Sequence, residues 1–145
     1  MEFFRKEGIT VEQSHAPFNR YDREDDSIFK EKMRRAFTIE SVIGAERIVI
    51  HADEYSVPKG EYVSEDACRY AYDYFAPFVE LASKLGIGVA VGNLFKDGMG
   101  GGYRSRCTSA TEEILRILEL FNDPSVTCCW DFGHAAVAFK KSANM

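Results

Sequence analysis

Four side chains of types that bind metal ions or move protons stand at or just past the end of an apolar run: His15, His51, Asp131 and His134. The densest stretch is Cys128-Cys129-Trp130-Asp131-Phe132-Gly133-His134-Ala135, an apolar run that delivers an aspartate and, three residues later, a histidine. A carboxylate and an imidazole so placed point to a metal site, and mixed nitrogen and oxygen donors suit manganese, zinc, cobalt or iron without choosing among them. A lone histidine at a strand end is more often a hydrogen-bonded loop residue than a ligand. The sequence has only three histidines, all at such positions, and that recurrence carries the expectation.

The elements that must position these groups repeat one unit. Residues 126–130 are β-branched, sulfur-bearing or aromatic and follow Asn122-Asp123-Pro124, which reads as a buried strand entered from a turn and ending at Asp131. Residues 9–14 form a first strand ending at His15, residues 47–50 a second ending at His51, and residues 87–91 a third ending at Gly92-Asn93. Between them run helices. Residues 1–7 read as the last turns of one, capped by Gly8. Residues 27–43, started by Asp25 or Asp26, place Ile28, Phe29, Met33, Ala36, Phe37, Ile39, Val42 and Ile43 on an apolar face and end at Gly44. Ser64 is the expected N-cap of a helix to Leu85, kinked or broken near Phe75 and Ala76 by Pro77. Ser109-Ala110-Thr111-Glu112 fits a capping box, with Ile114, Leu115, Ile117, Leu118 and Phe121 as the buried face beyond it.

Strands alternating with helices of this length predict an α/β fold with a parallel sheet, and four strands are too few to close an eight-stranded barrel. Because i and i+2 share a face, His15, His51 and Asp131 should face one way with Gln13, Val49 and Cys129. Ile48, Ile50, Val126, Cys128 and Trp130 should pack outward on helices.

Composition sets limits. With 145 residues, 46% of them hydrophobic, the chain suits one domain. A net charge of −5 opposes an extended phosphate-binding surface, so no nucleic-acid partner is expected. No apolar run approaches the ~20 residues of a membrane span. The start Met1-Glu2-Phe3-Phe4-Arg5-Lys6 lacks a signal peptide's apolar segment, which makes a cytoplasmic location the expectation. Cys68, Cys107, Cys128 and Cys129 show no C-x-x-C spacing and read as reduced thiols.

His15 in Gln-Ser-His-Ala-Pro-Phe, His51 in Ile-Val-Ile-His, Gly92-Asn93 after Val-Ala-Val, and Asp131-Phe-Gly-His134-Ala together resemble the sugar phosphate isomerase/epimerase family. That family is similar to xylose isomerase and to endonuclease-IV type enzymes. The resemblance implies a partial TIM barrel, about half of one, spanning residues 1–145 as a single incomplete domain. It also implies Asp131 as a metal ligand, with His134, His15 and His51 as ligands or substrate-facing groups. The family usually carries a glutamate, ligand and acid/base, where this sequence has Gly92; the asparagine after it is retained as Asn93, a candidate substrate contact. The catalytic acid/base is therefore unassigned, and Gly92→Glu is expected to tighten metal binding.

The implied activity is a metal-dependent isomerase or epimerase that moves a proton through an enediolate on a sugar or sugar phosphate. Gly92 and the absent later strands favour a non-catalytic metal-binding or interaction module as the alternative, and phosphodiester cleavage of the endonuclease-IV kind stands behind both. Arg104 and Arg106, beside the glycine-rich residues 98–102, could grip a phosphate bidentately. Those glycines lack the Lys-Ser/Thr of a nucleotide-binding loop. A sheet with open edges and an uncovered inner face is expected to self-associate.

Overall fold

Each expected strand pairs in parallel with its sequence neighbour. In chain order they are β1 (Gln13–His15), β2 (Arg47–His51), β3 (Gly88–Gly92) and β4 (Val126–Cys129), and they lie in that order in one sheet. The computed structural model describes residues 6–18, 26–51, 61–95 and 107–142. Helices α1 (Asp26–Ile43), α2 (Ser64–Leu85) and α3 (Thr111–Phe121) connect the strands, and α4 (Phe132–Ser142) follows β4. Of the helix expected before Gly8, residues 1–5 lie outside the described residues. No described helix is long and apolar enough to cross a membrane.

The sheet's outer face is a dry layer. Ile48, Ile50, Val89, Val91 and Val126 alternate along the strands and share one buried cluster with Phe29, Met33 and Phe37 of α1, Phe75 and Phe78 of α2, and Ile117 of α3. On α1 the buried stripe is Phe29, Met33, Phe37 and Glu40, spaced at four, four and three residues. Ile28, Ile39 and Val42, expected on that face, are exposed. At 100° per residue they centre between a third and a half of a turn from the stripe, beyond reach of the sheet.

Four local expectations need correction. β1 begins only at Gln13, which pairs with Arg47 at the first residue of β2; no described strand lies beside residues 9–11, and the Glu12 carbonyl only accepts the Glu46 and Arg47 N–H groups at the strand's start. Helix α2 runs as one element across Pro77, so of the expected kink or break the break does not occur. The carbonyl Pro77 leaves without a donor is that of Asp73, and both residues are exposed, so water satisfies it. Ser64 does not cap α2. Val63 holds the N-cap position, and the Ser64 hydroxyl donates instead to Glu113 Oε1 at 2.9 Å. The box at α3 is shifted by one residue and half made: the Ala110 N–H donates to Glu113 Oε2 at 3.4 Å, and Ala110 has no side-chain oxygen to return the bond.

The sheet is strongly curled. Flat, β1 and β4 would lie about 14 Å apart, three spacings of ~4.8 Å. Yet Gln13 Nε2 on β1 comes within 4.0 Å of Cys129 Sγ on β4 across the inner face. Small or slim residues there, Val49, Ala90 and Gly92, allow the closure. Cys128 and Trp130, expected to pack outward, are exposed, because no described element covers the outer side of β4 beyond Val126. All four cysteines are free, with Cys68 and Cys107 buried.

Candidate functional site

The pairing register carries His15, His51, Gly92 and Asp131 to one rim. His15 lies opposite Val49, and His51, Gly92 and Cys129 align across β2, β3 and β4. The expected parity holds. Gln13, His15, Val49, His51, Gly92 and Cys129 share the inner face and, with Ser14 and Asp131, line a cavity of ≈ 320 Å³. That volume falls in the range of small-molecule sites, at the strand ends where parallel folds gather ligands.

Hydrogen-bond partners assign the histidine tautomers. His15 Nδ1 lies 2.6 Å from the Ala16 carbonyl oxygen, which can only accept, so Nδ1 carries the proton and Nε2 is bare. His51 Nε2, 2.8 Å from His15 Nε2, must then donate to it. His51 Nδ1 is left as a lone pair, buried and without a partner. Phe18 stacks on both rings, with centroids 4.4 Å from His51 and 5.1 Å from His15. Burial, and then the neighbouring His15 and His134, hold the His51 pKa down to about 4, against an opposing pull from the Gly92 backbone and Asp131. His51 is a neutral imidazole at physiological pH.

Gly92 admits this ring. A Cβ at position 92 would stand 2.6 Å from His51 Cε1 and 3.0 Å from Nδ1. Gly92→Glu, expected to tighten metal binding, meets that contact first: a side chain at 92 requires the His51 ring to shift before it can add a ligand.

The β4 end is built differently. Asp131 Oδ1 accepts the His134 N–H at 2.9 Å, and the Ala135 N–H bonds the Asp131 carbonyl at 3.0 Å, so Asp131 is the N-cap of α4. Capping explains the three-residue spacing, which places His134 one turn above the carboxylate. The His134 N–H is also the first cause that holds the Asp131 carboxyl below its usual range. His134 Nδ1 lies 2.7 Å from the Asn93 carbonyl and therefore carries its proton, leaving Nε2 bare. Asn93, expected to touch substrate, spends its carboxamide on Asp131: Nδ2 donates to the Asp131 carbonyl at 3.0 Å, and Oδ1 accepts the Asp131 N–H. Its side chain is buried and fastens the β3 end to the β4 end.

Phe18 and Thr108, outside the expected set, also shape the rim, and Glu113 ties together the starts of α2 and α3. Phe18 covers the imidazoles. Thr108, a β-branched residue at φ 67°, is held in that strained conformation by two bonds, Oγ1 to the Gly92 carbonyl at 3.0 Å and its own carbonyl from Leu94 N–H at 2.9 Å. Glu113 is buried in the first turn of α3 and accepts the Tyr62 hydroxyl at 2.5 Å as well as Ser64. Burial first, then that bond to Glu113, raises the Tyr62 pKa far above the ordinary phenol value, so Tyr62 stays a donor. The partners of Glu113 stand 49 and 51 residues away, beyond any local sequence signal.

The four expected ligands thus meet at one rim, but they spend much of their donor capacity on one another. Among the described residues, no three His, Cys, Asp or Glu side chains are grouped to enclose a metal ion. His15 and His51 use Nε2 mutually; Asp131 Oδ1 caps α4. Asp131 Oδ2 and His134 Nε2 are not engaged by these bonds, and their chemistry fits a divalent transition ion as part of a shell. Arg104 and Arg106 lie outside the described residues.

Comparison with known proteins follows the same outline. The model of the xylose isomerase-like TIM barrel family matches residues 2–143. A search of curated proteins finds no match. Among solved structures, a D-tagatose 3-epimerase-like protein is similar over 94% of this chain and 50% of its own, at 21% identity and TM-score 0.72. D-allulose 3-epimerase from Methylomonas sp., in complex with D-allulose, is similar over 94% and 47%, at 12% identity and TM-score 0.64. The IOLI protein with a bound zinc atom is similar over 88% and 43%, at 17% identity and TM-score 0.65. The chain spans about half the length of these relatives.

Proposed function

The chain belongs to the xylose isomerase-like TIM barrel family, and on that footing we propose that it serves a metal-dependent sugar isomerase or epimerase reaction. The substrate is a sugar or sugar phosphate, held at the rim of His15, His51, Gly92 and Asp131. The observation that carries this reading is the convergence of three imidazoles and one carboxylate beside a cavity at the strand ends. The sugar epimerases among the similar structures, one holding D-allulose, support the substrate class. The zinc-bound relative supports a divalent ion.

Asp131 Oδ2 and His134 Nε2 would hold that ion, with further donors from outside the described residues, while the His15–His51 pair faces the ligand. When bound, the ion polarises a carbonyl and its neighbouring hydroxyl and so lowers the cost of moving the proton between them. The chain's own residues prepare the place. Asn93 fixes the Asp131 backbone from both sides, the His134 N–H favours the charged form of the Asp131 carboxylate, and Arg104 or Arg106 would meet a phosphate group.

A second reading has a specific observation behind it. Position 92, where the resemblance places the acid/base carboxylate, holds a glycine whose side-chain space is filled by His51. The chain would then bind metal and sugar without moving the proton. Incubating it with manganese and D-allulose in deuterium oxide, followed by proton NMR, separates the two. Loss of a carbon-bound proton signal supports catalysis; binding without exchange supports the module. Asp131→Asn is the control, since asparagine also caps a helix but removes the negative oxygen. Unchanged manganese affinity in that variant would remove Asp131 from the metal assignment.

A further inference from the structure

Two side-chain atoms of the cavity lining are buried without a partner, Ser14 Oγ and His51 Nδ1, and of the two the His51 nitrogen is the one held in a fixed direction. The bond to His15 fixes it so. Turning the ring over would carry Nε2 away from His15 Nε2, 2.8 Å distant, and break the chain of bonds to the Ala16 carbonyl. A buried acceptor left unpaired costs about 1–3 kcal/mol, and such an atom calls for a partner. The ring is also seated without slack, since even a methyl group at position 92 would overlap it.

The surroundings select the partner's chemistry. A bare nitrogen lone pair accepts a hydrogen bond and repels an anion. The cavity lining adds the Asp131 carboxylate and holds no lysine or arginine among the described residues. Phe18 stacks on the faces of both imidazoles and is 51% exposed, so it leaves the in-plane lone pair of Nδ1 uncontested.

We infer that Gly92 is a positioning residue: by lacking a side chain it seats the His51 imidazole so that Nδ1 accepts a hydroxyl proton from a neutral polyhydroxylated ligand. This rests on the sugar reading and narrows it, at this rim, to the uncharged hydroxyl-bearing part of the substrate. Gly92 therefore has a use of its own and is more than a lost carboxylate.

The test is two-bond ¹H–¹⁵N correlation on the whole chain with ¹⁵N-labelled histidine, at pH 7.5 with a chelator present. His51 should show a protonated Nε2 and a bare Nδ1, and saturating D-allulose should shift the Nδ1 signal toward the hydrogen-bonded range while inorganic phosphate leaves it in place. Gly92→Ala should abolish that tautomer pattern and weaken D-allulose binding by about tenfold or more. If Gly92→Ala does not fold, His51→Phe keeps the ring stacking, removes Nδ1 and should lose the same affinity. The inference is overturned by a protonated Nδ1, by no Nδ1 response to D-allulose, by a response to phosphate instead, by His51 signals unchanged in Gly92→Ala, or by full affinity in His51→Phe. A clear Nδ1 response without exchange of carbon-bound protons would sink the isomerase reading and leave this one standing.

Discussion

The two faces of the sheet are made from alternate residues of the same strands, and they differ in almost every physical respect. Outward, Ile48, Ile50, Val89 and Val91 pack into an apolar layer of Phe37, Phe75 and Met33, in which the exception is Glu40 on the same α1 stripe, whose Oε2 is buried without a partner. Inward, the same strands present Gln13, His15, His51 and Gly92, where one imidazole nitrogen goes unpaired and a threonine at the rim holds a left-handed backbone. Stability is thus concentrated on one face and chemical potential on the other. Since neighbours in a strand point to opposite faces, a one-residue slip of any strand would exchange them. Parallel pairing on both sides of β2 and β3 guards against that slip.

The largest effect should come from breaking the dry face. Phe37 is fully buried, and Phe37→Ala should cost about 3–5 kcal/mol, from lost transfer energy plus the cavity left behind. Gln13→Ala, on the inner face and exposed, should change stability by no more than about 0.5 kcal/mol. Urea unfolding of the pair measures the contrast; equal losses would mean that the inner face carries as much of the fold as the outer.

The next effect sharpens the inner face. The His51 pKa is depressed to about 4 in the folded chain against 6.5 for an unperturbed histidine, so the unfolded chain binds the extra proton between those values. Stability from a neutral His51 is complete above pH 6.5 and is lost as pH falls toward 4. The loss amounts to roughly 3 kcal/mol. Unfolding free energy measured with chelator at pH 7.5 and 4.5 should fall more steeply for the native chain than for His51→Phe, and parallel slopes would disprove the buried neutral imidazole.

Much of this contrast was legible in the sequence. Valine and isoleucine runs between glycine turns marked the strands, and histidines at their ends marked the rim. What was not legible depends on partners far away in the chain. Asn93 looks like a substrate contact until Asp131, 38 residues on, takes both ends of its carboxamide. Gly92 looks like a missing carboxylate until His51 from the next strand is found in its place. Ile28, Ile39 and Val42 show that apolar residues at near-helical spacing can fall on two stripes, of which only one meets the sheet.

Glu113 joins the two loops that lead into α2 and α3, and its effect should be smaller. Glu113→Ala would strand the Tyr62 and Ser64 hydroxyls in a half-buried site, for about 2 kcal/mol. Glu113→Gln keeps an acceptor oxygen and should cost less. Thermal unfolding of both variants decides it: equal destabilisation would mean that the negative charge, and not the hydrogen bonding, is what the site requires.

The smallest effect concerns the one part of the outer side that is not dry. β4 pairs only with β3 among the described residues, and beyond it Cys128, Trp130 at 44% and Phe132 at 81% exposure form an apolar strip beside an open strand edge. Unpaired backbone donors next to exposed aromatic surface favour association, so the chain is expected to self-associate through this edge. Trp130→Ser removes the largest ring from the strip while leaving the strand backbone intact. It should weaken self-association by about fivefold to tenfold, near 1 kcal/mol, and leave the monomer's stability almost unchanged. Sedimentation equilibrium from 1 to about 100 μM, a range that brackets micromolar association, reads the change directly. A native chain that stays monomeric throughout would show that the β4 edge is closed by its own twist and charge, and that the dry outer face extends further than its exposed aromatics indicate.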